Sequence, residues 1–460
     1  MKEEDQKETR KVARVMTTSK QVTEVQIFTE TDRVRWARKA RWEWTEESIW
    51  TDTMLTALEN GVKGGKWFSL IDKTYRPNVL VEAWKRVKAN KGAAGVDKIS
   101  IKKFEANLNE YLTELGLELK TGNYHPKAVK RVYIPKEKSK LRGLGIPTVK
   151  DRIAQQAVKL AIEPIFEKEF LDISYGFRPK KGAKGAIAEV NRLIEEEYIW
   201  VVDADLQAYF DTIHHEKLMT KVKRKISDGR IIELIEKWLN NPIMEECKNW
   251  IPTEGTPQGG IISPLLANIY LHDLDVTIKD AGYKMIRYAD DFVILTKTRE
   301  EAEEALRIVQ KWTTDHELIL HPEKTHIGNC MKEGEGFDFL GYRFEKGTRW
   351  VRRKSIQRFR ERIREKTSRV CGKAIKEVIK DINPTLRGWY NYFKDVTKYS
   401  LGTFDSFVRR RLRAIIERQN KKRSFGSGWA NKRIPNKFFA ELGLINMEDL
   451  QKLYFASQSR

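Results

Sequence analysis

The chain has 460 residues, 40% hydrophobic and 33% charged, with a formal net charge of +22 and a pI near 9.6. That length suits two or three domains with a sizeable core, and that charge calls for a polyanion partner, nucleic acid before membrane. No run approaches about 18 apolar residues, which excludes an ordinary spanning helix. The start, Met-Lys-Glu-Glu-Asp, is no secretory signal, and Cys247, Cys330 and Cys371 form no Cys-x-x-Cys pair, which excludes a zinc ribbon and fits a reducing cytoplasm.

In chain order, residues 1–55 are polar and then Trp-rich, and the first twenty or so are expected to be mobile. Trp36, Trp42, Trp44 and Trp50 sit among arginines; such rings pack in a core or stack on bases, packing being the commoner fate. Residues 51–61 and 67–90 carry helical periodicity. The second stretch ends in the Gly-rich loop 90–97. Residues 129–148 predict a strand, a basic turn and a strand, with Lys136 and Arg142 flanking the turn. A helix follows at 149–169, then the compact loop Ser174 to Pro179 and a helix at 182–197. Residues 199–205 predict a buried strand ending in Asp205. Gly255-Thr256-Pro257-Gln258-Gly259-Gly260 leads into a helix whose first turn suits Ser263 and Pro264.

Residues 285–295 then read as apolar run, Asp290-Asp291, apolar run: a hairpin with two acids at its turn. Asp-Asp turns are ordinarily solvated, and only a converging third acid changes that reading. A helix at 299–316 and short strands at 318–328 and 337–344 complete the pattern. This order predicts an α+β unit, its helices packed on one face of an antiparallel sheet. Beyond residue 345 the composition shifts. Residues 346–424 hold 25 Lys/Arg against 7 Asp/Glu, an excess of 18 out of the chain's 22, on helical periodicity. Residues 425–460 form a small C-terminal segment with aromatics at Trp429, Phe438 and Phe439.

Asp205, Asp290 and Asp291 are the acids that two-metal phosphoryl transfer requires, carboxylates on neighbouring strands bridging two Mg²⁺ ions. Clustered carboxylates without a cation repel each other. Around them, Lys136 and Arg142 read equally as a grip on a triphosphate or as solvated finger residues, and Phe210 as a wall beneath the sugar that excludes a 2′-hydroxyl or, on local sequence, as a core aromatic. Gln258 and its glycines suit a place against the incoming base pair, and Lys324 reads as a proton donor to pyrophosphate or as the surface charge a lone Lys usually is.

Tyr288-Ala289-Asp290-Asp291 resembles the signature of reverse transcriptases. Lys136 to Pro147, Ser174 to Pro179, Asp205 to Asp211, Gly255 to Gly260 with Ser263 to Asn268, and Phe339 to Tyr342 occur in the order seen in group II intron-encoded reverse transcriptases. The resemblance covers residues 65–424 and implies a right-hand polymerase: an extension at 1–55, fingers at 56–200, a palm at 201–345, a helical thumb/maturase domain at 346–424 and a DNA- or RNA-binding appendage at 425–460. It implies Asp205, Asp290 and Asp291 as catalytic acids, with the Leu206 carbonyl as a further ligand and two Mg²⁺ ions for which Mn²⁺ can substitute. It also implies Phe339, Leu340, Gly341 and Tyr342 as a primer grip, and Arg387, Trp389, Tyr390 and Tyr392 as intron-RNA contacts.

The partners implied are intron RNA, an RNA template with a DNA primer, target DNA and deoxynucleotides, in a bacterial cytoplasmic particle associated with the nucleoid. Gly143 departs from the family, which often has Pro there. The chain also lacks the cysteines of the endonuclease domain that ends many members, so nicked or single-stranded DNA is the expected target. The rival readings are a splicing cofactor with a vestigial polymerase and a relative recruited to phage defence or spacer acquisition.

Overall fold

A computed structural model describes residues 30–137, 140–245, 248–250, 252, 254–256, 259–370, 372–396, 399–421 and 428–458. The segment expected to be mobile, Cys247 and Cys371 lie outside them. Among the described residues eleven strands form three sheets. Val129–Glu137 (β1), Lys140–Ile146 (β2), Ile243–Glu245 (β4) and Lys248–Trp250 (β5) make the fingers sheet, ordered β2-β1-β4-β5. Trp200–Asp205 (β3), Lys284–Tyr288 (β6), Asp291–Thr296 (β7) and His326–Asn329 (β8) make the palm, ordered β6-β7-β3-β8 and antiparallel throughout. Phe337–Phe339 (β9), Tyr342–Glu345 (β10) and Thr348–Val351 (β11) make a small sheet leading to the thumb.

The palm differs from expectation in one respect: both of its faces are buried. Side chains alternate along a strand. Val202, Ala204, Met285, Phe292 and Ile294 join the large core with the helices Val149–Glu167, Ser263–Asp280 and Arg299–Asp315. Val201, Ile286, Val293 and Leu295 join a second core with the Ala183–Glu195 helix, β9 and β10. Both alternating sets are apolar, so neither face could be left to water. The helices begin where the sequence provides caps. The Thr148 hydroxyl accepts from the Asp151 N–H, and Thr298 and Glu301 close a capping box.

The tryptophans divide. Trp42 and Trp50 are buried, the Trp50 indole donating to the Leu160 carbonyl at 3.0 Å, while Trp36 is 72% exposed. Its helix, Glu30–Arg41, is pinned through Arg38 to Glu59 at 3.0 Å.

The thumb helices Arg353–Lys366, Ile375–Phe393 and Tyr399–Gln419 follow the sequence periodicity. Phe359, Ile363, Val378, Ile382, Leu386, Phe404 and Leu412 fill their shared core, and Phe439 and Met447 of the C-terminal segment enter the same core. Asp405, 2% exposed, accepts from the Met447 and Glu448 N–H groups at 3.1 and 2.9 Å, at the start of the Met447–Gln458 helix. No helix among the described residues is long and apolar enough to cross a membrane.

Burial pushes the Asp405 carboxyl up to about 6, against about 3.9 for an unfolded Asp. The folded state therefore binds this proton more tightly, and the stability it contributes is present at low pH and lost as pH rises through 6. Relative to Asp405→Asn, the wild-type thumb should lose up to about 3 kcal/mol between pH 4 and pH 7.5, read as the difference between the two urea-unfolding curves.

Candidate active site

Register decides where the acids meet. Asp205 pairs directly with Asp291 across β3 and β7, and Tyr288 pairs with Asp291 across β6 and β7. Ala289 and Asp290 therefore form a two-residue hairpin turn, with Ala289 at a positive φ of 61°. Directly paired residues share a face of the sheet, so Asp205 and Asp291 do, and Asp203 joins them two residues earlier on β3. Asp203 lies opposite His326 on β8. Burial, then the charges of Asp203, Asp290 and Asp205, push the Asp291 carboxyl up to about 8. Burial chiefly, against the opposing pull of His326, pushes Asp203 up to about 6.

This concentration of negative charge and hard oxygen donors suits Mg²⁺. The Lys324 ammonium lies on the Asp205 carboxylate, the place a cation would take. Among the described residues no three His, Cys, Asp or Glu side chains form a group that could hold a metal ion. The Lys324 loop is clipped to the end of β3: Gln207 N–H donates to the Ile319 carbonyl and His321 N–H to the Asp205 carbonyl, both at 2.8 Å. Leu206, the expected carbonyl ligand, is buried and bridged to Leu320 between these bonds.

The turn is held from beneath by Arg287, which is fully buried. Its guanidinium forms a bidentate pair with Asp275 at 2.7 and 2.5 Å. Nη1 donates to the Asn268 side-chain oxygen and to the Ala289 carbonyl, both at 2.9 Å. From above, Gly176 leaves no room: a Cβ there would lie 2.3 Å from the Ala289 nitrogen. Neither Arg287 nor Asp275 stood out in the sequence, where an Arg inside an apolar strand looks merely tolerated. A charged residue flanked by Met285, Ile286 and Tyr288 was the available signal, since a buried cation demands a buried partner.

On the nucleotide side, Arg142 is exposed on β2 opposite Ile134, and Arg131 and Arg142 both pull against the burial that raises the Asp211 carboxyl. Gly143 leaves space for the Arg131 guanidinium, which a Cβ would meet at 2.2 Å. Phe210 is half-buried, its ring edge-on to Tyr209 at 5.6 Å and its carbonyl accepting from Thr256 N–H at 2.7 Å. Gln258 and the Lys136 side chain lie outside the described residues. Gly259, at φ 117°, presses against β2, so that a Cβ would lie 2.1 Å from the Gly145 carbonyl oxygen.

Comparison with known proteins now bears on this geometry. Residues 134–344 match the family described as reverse transcriptase (RNA-dependent DNA polymerase), and residues 356–434 match the group II intron maturase-specific domain. The chain is 37% identical to protein YkfC of Escherichia coli K12 over 309 residues, 58% of this chain and 80% of YkfC. It is 35% identical to the group II intron-encoded protein LtrA of Lactococcus lactis over 264 residues, 57% of this chain and 40% of LtrA.

The chain belongs to the group II intron-encoded reverse transcriptases and maturases. Its α+β architecture is the right-hand polymerase fold followed by a helical domain, and it carries an RNA-directed DNA polymerase domain. It spans two fifths of the length of LtrA. Among solved structures, a Cas6-RT-Cas1–Cas2 complex matches at 24% identity over 54% of this chain and 41% of that one, with a TM-score of 0.34 too low to bear on function.

The segment expected to grip the primer, 339–342, lies in the small sheet that leads to the thumb helices. Phe339 and Tyr342 are buried, and Leu340 and Gly341 form the turn between β9 and β10 with φ of 48° and 86°. Tyr392 donates through its hydroxyl to the Leu340 carbonyl at 2.7 Å, and Tyr342 through its own to the Tyr392 carbonyl. Of the four residues expected on RNA, Arg387 is exposed. Trp389 packs at 4.6 and 4.3 Å from the Phe359 and Phe393 rings, and the buried Tyr390 donates to the Leu450 carbonyl at 2.9 Å. Their rings, with that of Tyr392, are engaged in holding the thumb together.

Gly259→Ala should raise the KM for deoxynucleotide about tenfold or more in single-nucleotide extension. A side chain at positive φ against the β2 backbone costs about 1–3 kcal/mol, and about 1.4 kcal/mol is a factor of ten. Little change in the rate at saturation is expected.

Proposed function

We propose that this chain copies its intron RNA into DNA by target-primed synthesis, and that its helical domain holds the same RNA and assists its splicing. The observation that carries the polymerase reading is the direct pairing of Asp205 with Asp291 beside the Asp290 turn. Two Mg²⁺ ions, held by Asp205 and Asp290 with help from Asp291 and the Leu206 carbonyl, would when bound neutralise phosphate charge and lower the pKa of the primer 3′-hydroxyl. The chain's own groups do the rest. Arg142, with Arg131 behind it, meets the triphosphate from the β1–β2 hairpin. Phe210 walls the sugar, and the Gly259 backbone leaves the base pair a flat floor. Lys324, beside Asp205, is the proton donor to the leaving pyrophosphate.

The RNA hold rests on the thumb's outer face. Arg360, Arg364 and Arg410 surround the Phe407 ring at 5.9, 5.7 and 5.9 Å, and among the described residues no carboxylate pairs with any of the three. Burial, then repulsion from Arg364, Arg410 and Arg369, lowers the pKa of the neighbouring Arg411. Thr403 and Ser406 line the same groove, which continues past Arg409 and Arg413 to Asn431 and Asn436. Unpaired arginines interleaved with hydroxyls and amides suit an RNA strand, whose phosphates and 2′-hydroxyls both find partners.

Asp290→Ala should abolish cDNA synthesis on a primed RNA template while leaving RNA affinity within about twofold. Normal synthesis by that variant would remove the polymerase reading from these acids. Arg364→Gln with Arg410→Gln should weaken intron RNA binding and flatten the plot of log affinity against log salt by about 1.4–1.8 units, as loss of two phosphate contacts requires. Filter binding across a salt series measures this.

A further inference from the structure

The deepest charged group in the palm is Arg287, and its surroundings are more specific than a core needs. A buried ion pair is weak evidence for stability, because well-packed apolar residues of similar volume often replace one at no cost. Arg287 does something apolar residues cannot. It supplies a fixed donor to the Ala289 carbonyl, in the middle of the turn that carries Asp290. Ala289 sits at φ 61°, a conformation an L side chain adopts reluctantly.

Three segments meet at Arg287, two at its side chain and one at its backbone. Asn268 and Asp275 lie seven residues apart on the Ser263–Asp280 helix, on the same face two turns apart. Asn268 accepts from Arg287 and donates to the Gly176 carbonyl at 2.8 Å. The loop carrying Gly176 is itself paired with the Arg287 backbone: Tyr175 N–H donates to the Arg287 carbonyl at 2.8 Å, and Arg287 N–H to the Ile173 carbonyl at 2.9 Å. The Ala289 peptide is thus gripped between Arg287 on one side and the Gly176 backbone on the other.

We propose that Arg287, with Asp275 and Asn268, is the positioning residue of the catalytic turn, setting divalent-cation affinity and the rate of nucleotide addition without contributing to template–primer binding. This rests on the polymerase reading above. A clamp on the Ala289 carbonyl fixes the peptide from which the Asp290 side chain springs, and outer partners of this kind change metal affinity or activity by about 10–100-fold when removed.

The deciding experiment removes the clamp while keeping the core filled. The double variant Arg287→Met/Asp275→Leu replaces the ion pair by apolar side chains and should fold, with a melting temperature below that of the wild type. It leaves the Ala289 carbonyl and Asn268 without their donor. In the full-length protein without nucleic acid, Mn²⁺ binding followed by electron paramagnetic resonance should weaken about tenfold. Single-nucleotide extension at saturating deoxynucleotide should slow about 100-fold, with template–primer affinity unchanged by fluorescence anisotropy.

A folded double variant with wild-type Mn²⁺ affinity and extension rate would reduce Arg287 to a structural role and overturn the proposal. Gly176→Ala disturbs the turn from the opposite side without touching the ion pair, and its Mn²⁺ affinity should fall likewise. If the double variant does not fold, an unaltered Mn²⁺ affinity in folded Gly176→Ala overturns the proposal on its own. Failure of the wild type to extend any primer would remove the polymerase reading, while the Mn²⁺ titrations would still test the clamp.

Discussion

Carboxylates repel one another, and the register of β3 against β7 places two of them on directly paired positions, with a third in the adjoining turn. Asp205 and Asp291 are locked opposite each other by backbone hydrogen bonds that neither side chain can relax, and Asp290 follows within the same tight turn. A fold can hold such a cluster only by surrounding it with compensation. Here compensation comes in two forms. Lys324 supplies a half-exposed cation at the open end. Arg287 supplies a fully buried one underneath, paired with Asp275. The first is open to solvent, while the second is enclosed and bonded to a carbonyl of the turn.

Close backbone contacts surround this constraint. Gly176 lets the 174–179 loop lie directly on the Ala289 peptide, and Gly259 lets its loop lie on β2 at Gly145. Each contact joins a loop from one part of the sequence to a strand or turn from another with no side chain between. The two contacts fix separate points, one at the acidic turn and one on the fingers hairpin. The two buried faces of the palm sheet belong to two different cores.

Much of this was legible in the sequence because it rests on local signals. The hairpin at 285–295, the strand ending in Asp205 and the capped helices at 149 and 299 all announce themselves through alternation or capping residues. Ordered motifs then identified the acids as a set, and the family followed from that order. What stayed hidden depends on partners distant in sequence. Nothing local distinguishes the buried Trp50 from the exposed Trp36. Strands β4 and β5, three residues each, are too short to show a period. The motif at 387–392 reads as a basic-aromatic RNA contact, yet Trp389 and Tyr390 spend their surfaces on Phe359 and Leu450. Arg287 was invisible because its meaning lies in Asp275 and Asn268 on another element.

The C-terminal helices carry an implication for the order of assembly. Phe439 and Met447 complete the thumb core, Asp405 caps the Met447–Gln458 helix, and Gln451 donates to the Lys394 and Val396 carbonyls at 2.9 and 2.8 Å. During synthesis the palm acids and their clamp are all out of the ribosome well before these residues are translated. The thumb, by contrast, stays open along one side until residue 451 emerges. Synthesis therefore delivers every palm strand before the last residues of the thumb core.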